Sequence, residues 1–315
     1  MKIGLLDKQT LTDGFVDLEI FKKYGTLSTD VTLQGQELID FCKDKEVLLI
    51  NRSIITKEVI LAAKNLKYIG VFATGYNNVD IIEAKKHGIT VCNVPGYSTE
   101  AVVQQTICFI LMLANNTEKY SNYVKQGLWS FSGERTYFPY NITRLKGRTL
   151  GIFGMGNIGK RLAEIMSVFG MNIIYHSRTK KDLPYKFVDK KTLFKESDFL
   201  SFHCPCSNET QEILNKSTIS LMKDGAYIIN CARGGLIKEQ DLADALNSGK
   251  IAGAGLDVVA QEPLDKESPL YSAKNIIFTP HIAWADKDTR KELISLVANN
   301  LENYINGTPI NVVNK

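Results

Sequence analysis

The sequence predicts an α/β fold: two doubly wound domains, each a parallel sheet with helices on both faces. Three observations predict it. The chain's 315 residues are about twice the usual domain length. Short apolar runs alternate with amphipathic stretches in two separate series, and a glycine-rich turn opens the second series.

The first series runs KIGLLD, EVLLINRS, KYIGVFATG and TVCNVPG, with segments such as TKEVILAAKNL and VDIIEAKKHG between. Strands separated by helices pair in parallel, so residues 1–98 form a small sheet with helices on both faces. After Pro95-Gly96, apolar residues recur at helical spacing from Thr99 to about Tyr120, a helix that bridges to the second domain. From Ser121 to Lys146 the periodicity fades while Tyr123, Trp129, Phe131, Tyr137, Phe138 and Tyr140 accumulate. Irregular backbone bearing so many rings needs cover, from another subunit or from its own chain; the first is preferred, making 120–148 a dimerisation arm.

The second series runs TLGIFG, NIIYHS, SDFLSFHCP, AYIINCA, IAGAGLDV and NIIFTP, its last strand ending at His281. The closing helix, Lys287 to Tyr304, is expected to return to the first domain, whose short sheet lacks apolar cover. The expected division is 1–98 with 287–315, and 99–286, with a ligand cleft beyond the carboxyl ends of the strands.

The net charge of +4 is spread as isolated pairs such as Lys22-Lys23 and Lys180-Lys181, so nucleic acid and membrane surfaces are poor candidates. The N-terminus reads as a strand and lacks a signal peptide's layout, and the apolar stretch Thr106 to Ala114 is too short to span a bilayer. A cytoplasmic protein is expected. The six cysteines have neither zinc-site spacing nor disulfide-scaffold density. No metal is expected; Cys204 and Cys206 form the nearest thing to a motif, and the other four read as buried thiols.

TLGIFGMGNIGKRLAEIMSVFG places Gly154, Gly156 and Gly159 in GxGxxG spacing after a strand, opening a helix with Ile158, Leu162, Ile165 and Phe169 on one face. This is the Rossmann dinucleotide-binding arrangement: the first glycine makes the turn, the second admits pyrophosphate, and the third lets helix and strand pack. Phosphate charge then meets the helix start at Asn157 and Ile158. The next strand delivers Ser177, Arg178 and Thr179 where NAD enzymes usually present a carboxylate, so NADP(H) is favoured over NAD(H).

Three further segments end strands of this series: NCARGG with Arg233, LDVVAQEP with Asp257 and Glu262, and TPHIAWAD with His281. Reducing a 2-keto acid needs a cation for the carboxylate, a proton for the oxygen and an oriented hydride donor. Arg233 can grip a carboxylate in forked geometry, and His281 can give or take a proton. Glu262 on the far ring nitrogen would orient the imidazole and favour its charged form. Each residue alone has a structural explanation; their appearance after successive strands favours catalysis. His87 and His176 read as structural, while His203 ends a strand beside the expected cofactor groove.

GMGNIG, NCARGG, the LDV-to-EP segment and PHIAWA together resemble the D-isomer-specific 2-hydroxyacid dehydrogenase family, in order and spacing, through nearly the whole chain. The resemblance implies Arg233, Glu262 and His281 as the catalytic set, and a smaller flavodoxin-like substrate domain beside the Rossmann domain. It implies cofactor contacts at Asn157, Ile158, Ser177, Cys231, Ala232, Arg233, Asp257, and from His281 to Trp284, with Cys204 a further candidate. FATGYN looks like the family's substrate-carboxylate loop, using amides of Thr74 and Gly75, with Arg233 and His281 completing the substrate set. GYSTEAVVQQT and PHIAWA are most similar to glycerate dehydrogenases, also called hydroxypyruvate reductases, with glyoxylate reductases beside them. Gln104, Val259 and Asp286 depart from common residues of that subgroup. A homodimer is implied, and with Lys315 closing the sequence a long-form allosteric phosphoglycerate dehydrogenase is not expected.

Three alternatives stand. D-lactate dehydrogenase or another 2-keto acid reductase would use the same scaffold, and a dinucleotide-sensing corepressor would bind without turnover. A methyltransferase would leave Arg233, Glu262 and His281 unexplained.

Overall fold

Two all-parallel sheets organise the chain, and the computed structural model describes residues 1–14 and 16–315. One unit comprises Met1–Ser98 with Ala285–Lys315; the other is Thr99–Trp284.

In the first unit the strands are β1 (Lys2–Leu5), β2 (Thr26–Thr29), β3 (Val47–Ile50), β4 (Tyr68–Val71) and β5 (Thr90–Cys92). Their order is β2-β1-β3-β4-β5, the flavodoxin-like arrangement. Every residue of VLLI in β3 and YIGV in β4 is buried, as befits parallel strands covered on both faces. The edge strand β2, TLST, is half-exposed and lies outside the predicted set. The helix Lys287–Ile305 starts at Asp286, whose carboxylate accepts the Asp288 and Thr289 N–H groups. It packs Tyr304 against Tyr68 at 4.7 Å between ring centroids, and its buried Asn300 amide donates to the Asn93 carbonyl at 2.9 Å.

The second unit contains β6 (Thr149–Phe153), β7 (Asn172–His176), β8 (Lys186–Phe187), β9 (Phe199–Phe202), β10 (Ala226–Asn230), β11 (Ile251–Leu256) and β12 (Ile276–Phe278). Their order, β12-β11-β10-β9-β6-β7-β8, reverses direction between β6 and β9, the Rossmann switch point. The glycines of β11, IAGAGL, let the helix Thr99–Asn115 lie close: a Cβ at Gly255 would stand 2.6 Å from the Phe109 ring.

Several boundaries differ from expectation. The helix from Thr99 stops at Asn115 because Asn116 turns left-handed at φ 49°, and separate helices follow at Thr117–Lys125 and Leu128–Ser132. Neither of these has a buried residue, and Phe131 and Phe138 are 87% and 74% exposed. Strand β12 stops at Phe278 rather than His281, since Pro280 has no N–H for the ladder. The buried face of the helix Asn157–Val168 is Gly159, Leu162, Ala163 and Met166; Ile158 and Ile165 are only partly covered and Phe169 lies outside. Cys108 is exposed, not buried. Among the described residues no helix is long and apolar enough to cross a membrane.

Candidate active site

The second unit presents the carboxyl ends of its strands in one register row. His176, Phe153, Phe202, Asn230, Leu256 and Phe278 are successive partners from β7 to β12. Every candidate of this unit lies within six residues beyond that row. Neighbouring strands lie ~4.8 Å apart, which puts the ends of β10 and β12 roughly 10 Å apart, within the joint reach of an Arg and a His side chain.

The glycine turn fits a phosphate. Gly154 has φ 108°, and a Cβ there would stand 2.4 Å from the His203 carbonyl oxygen; one at Gly159 would stand 2.3 Å from the Gly154 carbonyl. A Cβ at Gly156 would meet nothing within 4 Å. Gly156 also caps the helix without a side chain, so the first N–H groups, at Asn157 and Ile158, face open space with the helix dipole behind them. An anionic group suits that place.

Beyond β7, the Ser177 hydroxyl donates to the Thr179 carbonyl at 2.7 Å. The Tyr175 hydroxyl donates to the Lys181 carbonyl at 3.0 Å and accepts the Lys181 N–H at 2.9 Å, which pins the turn. Arg178, Thr179 and Lys180 are exposed on it. His203 follows β9 with Nε2 2.8 Å from the Ser201 hydroxyl and Nδ1 sealed from solvent without a partner. Burial drives its pKa down to about 4, so the ring is neutral. Burial likewise pushes the Cys204 thiol up to about 12 and raises that of Cys231, leaving both uncharged beside the loops.

Arg233 sits on a turn that the buried Asn230 closes. The Asn230 amide donates to the Arg233 carbonyl at 2.9 Å and accepts the Ala232 N–H at 3.0 Å. The exposed guanidinium of Arg233 donates to the Ala232 carbonyl at 2.7 Å.

His281 is left-handed, at φ 57°, a conformation an ordinary residue keeps only when its surroundings hold it. The His281 N–H donates to the Asp257 carbonyl at 2.8 Å, and the Trp284 indole donates to the His281 carbonyl at 3.1 Å. The buried Asp257 carboxylate accepts the Thr279 hydroxyl at 2.5 Å and the Ile282 and Ala283 N–H groups at 2.9 Å each. Asp257, expected as a cofactor contact, therefore also shapes the His281 loop. The outcome is an imidazole Nδ1 2.6 Å from the Glu262 carboxylate, both side chains about a quarter exposed at 27% and 26%.

In the first unit, Thr74 and Gly75 follow β4. The Thr74 hydroxyl donates to the Val94 carbonyl at 2.9 Å and its carbonyl accepts the Asn93 amide at 2.7 Å, so what the loop can offer is its backbone N–H groups. Sequence reasoning missed Asp7 here. Its fully buried carboxylate accepts the N–H groups of Asn51, Arg52 and Ser53 at 2.9, 2.7 and 2.8 Å, and the hydroxyls of Ser53 and Thr32 at 2.8 and 2.6 Å. An acid directly after the apolar run KIGLL is the signal that could have found it, as a polar residue ending β10 could have found Asn230. Among the described residues no three His, Cys, Asp or Glu gather as a metal cluster.

A glycine turn of this construction, at the switch point of a parallel sheet, defines a dinucleotide-binding protein. Comparison with known proteins specifies which. Residues 107–283 match the family described as D-isomer specific 2-hydroxyacid dehydrogenase, NAD binding domain. A hydroxypyruvate reductase of Blautia hydrogenotrophica is 39% identical over 100% of both chains. A protein of Thermus thermophilus, known from its crystal structure, superposes with a TM-score of 0.90 at 34% identity, covering 99% of this chain and 100% of that one. An NADPH-dependent glyoxylate/hydroxypyruvate reductase of Sinorhizobium meliloti, in complex with NADP and malonate, gives 0.84 at 28% identity over 99% and 96%. The chain belongs to the D-isomer-specific 2-hydroxyacid dehydrogenase family.

Proposed function

We propose that this chain reduces a small 2-keto acid, hydroxypyruvate or glyoxylate, to the D-2-hydroxy acid, reversibly. The observation that carries the reading is the His281–Glu262 pair at 2.6 Å, two strands from Arg233 on the same sheet edge. With Glu262 holding Nδ1, the ring presents Nε2 as the atom that gives a proton to the carbonyl oxygen in reduction and takes it back in oxidation. Arg233 holds the substrate carboxylate and polarises the ketone. Bound at the glycine turn, the nicotinamide cofactor supplies the hydride.

NADP(H) is the favoured cofactor, with NAD(H) the alternative. Ser177 offers no carboxylate to repel a 2'-phosphate, and Arg178 and Lys180 stand exposed beside it; the Sinorhizobium relative is NADPH-dependent. The aromatic arm suits a homodimer in which each copy covers the other's exposed rings. Six free thiols fit a reducing, cytoplasmic setting.

The test is kcat/KM for hydroxypyruvate, glyoxylate and pyruvate with NADPH and with NADH. Hydroxypyruvate or glyoxylate is expected to lead. Pyruvate leading would reassign the chain as a D-lactate dehydrogenase, and dinucleotide binding without turnover would favour a sensor. Arg233→Ala should lose about 3 kcal/mol or more of transition-state stabilisation; activity within threefold of wild type would remove Arg233 from the set.

A further inference from the structure

The loop that carries Glu262 is tied down at one point. Glu239 opens the helix Glu239–Ser248, and its two carboxylate oxygens part to bridge the ends of the loop. Oε1 accepts the Ala260 N–H at 2.8 Å, and Oε2 accepts the Ser268 hydroxyl at 3.1 Å. Ala260 lies two residues before Glu262, and Ser268 caps the short 3-10 helix Pro269–Ser272 that ends the loop.

The same point touches the arginine turn. A Cβ on Gly234, next to Arg233, would stand 1.9 Å from the Val259 carbonyl carbon and 2.5 Å from the Ala260 nitrogen, so the two loops meet backbone against backbone at Val259-Ala260. Glu239 thus anchors the junction from which one chain direction leads to the Arg233 guanidinium and the other to the His281–Glu262 hydrogen bond. We propose that Glu239 is a positioning residue, holding the 259–268 loop so that Glu262 engages His281 and Arg233 keeps its register beside them. The inference rests on the reading of Arg233, Glu262 and His281 as the catalytic set. A charged acceptor suits this role, since one carboxylate takes two donors from opposite sides, and its place in the first turn of a helix favours the negative charge.

The experiment compares Glu239→Ala, Glu239→Gln and Glu262→Gln in the whole protein. Two readouts serve: hydroxypyruvate reduction, and the far-downfield proton resonance of the imidazole Nδ1–H bonded to a carboxylate. Glu239→Ala should lower kcat on the order of tenfold. It should also weaken or abolish the downfield resonance, as Glu262→Gln does. Glu239→Gln keeps an amide oxygen for Ala260 and turns its NH2 to the Ser268 oxygen, so it should recover most of both, short of what the charge adds. A Glu239→Ala protein with wild-type kcat and an intact resonance overturns the proposal, even if its Tm has fallen. The resonance needs no substrate, so it decides the positioning role even where no keto acid is turned over, an outcome that would count against the proposed reaction alone.

Discussion

Gly234→Ala tests how tightly the site is built, because its effect can be worked from geometry alone. The added Cβ would lie 1.9 Å from both the carbon and the oxygen of the Val259 carbonyl. Ordinary contact begins at 3.4 Å, so the difference, 3.4 − 1.9, requires the loops to part by about 1.5 Å. All the atoms met are backbone, so no side chain can rotate away. Overpacking of this kind costs about 3 kcal/mol at the upper end of its range. Gly234 adjoins Arg233, and a misplacement of ~1 Å can cost on the order of 100-fold in rate, which converts to about 2.7 kcal/mol. Urea unfolding at constant m reads the first quantity, and kcat/KM for the preferred keto acid reads the second. Gly235→Ala is the control: its Cβ would meet the Cys206 Sγ at 3.1 Å, the end of a side chain that can shift. A Gly234→Ala enzyme within threefold of wild type, or no worse than Gly235→Ala, would refute the claim that the two loops share a fixed junction.

Three other perturbations probe different parts of the chain. His203 is held neutral by burial, with a folded pKa of about 4 against the ordinary 6.5. Its contribution is therefore whole above pH 6.5 and is lost as pH falls towards 4, when the unfolded chain takes up a proton that the folded ring refuses. This amounts to about 3 kcal/mol across that window; His203→Gln should flatten this part of the stability–pH curve, and an unchanged slope would contradict the assignment. Ser177→Asp should lower the NADPH-to-NADH ratio of kcat/KM by about tenfold or more by setting a carboxylate against the 2'-phosphate, and a constant ratio would make the basic turn irrelevant. Asp7→Asn keeps the size and tolerates the left-handed φ of 64°, and its NH2 can turn to the Thr32 and Ser53 hydroxyls, yet the three N–H groups on Oδ2 lose a charged acceptor; urea unfolding should show a loss of about 2 kcal/mol, and a loss under about 0.5 kcal/mol would mean that the charge adds little to the loop.

What was legible in the sequence shares one property: it is written in residues near each other in the chain. The apolar runs of β3, β4, β6, β9 and β10 report burial on both faces, and the glycine spacing at 154, 156 and 159 reports a local turn built on close backbone approaches. Arg233, Glu262 and His281 were legible because each follows a strand, and strand ends in a parallel sheet share one edge. The elements missed carry no such record. β2 is a polar edge strand held by one neighbour, and β8 is two residues long. The break at Asn116 hides in an apolar repeat that continues past it, where only the Asn-Asn pair hints at a left-handed residue. The carboxylates that order loops are the least legible of all, because they act at long range: in the first unit Asp7 reaches Asn51 to Ser53, and in the second Asp257 reaches Ile282 and Ala283 while Glu239 reaches Ala260 and Ser268. Each reads locally as an ordinary acid, and only folding reveals that its carboxylate is surrounded by the donors of another loop. Acids have this role because a carboxylate accepts several N–H groups at once, which is what an irregular loop needs when no strand or helix satisfies its backbone. The candidate site is thus announced by motif, while the geometry of its loops depends on residues that no motif contains.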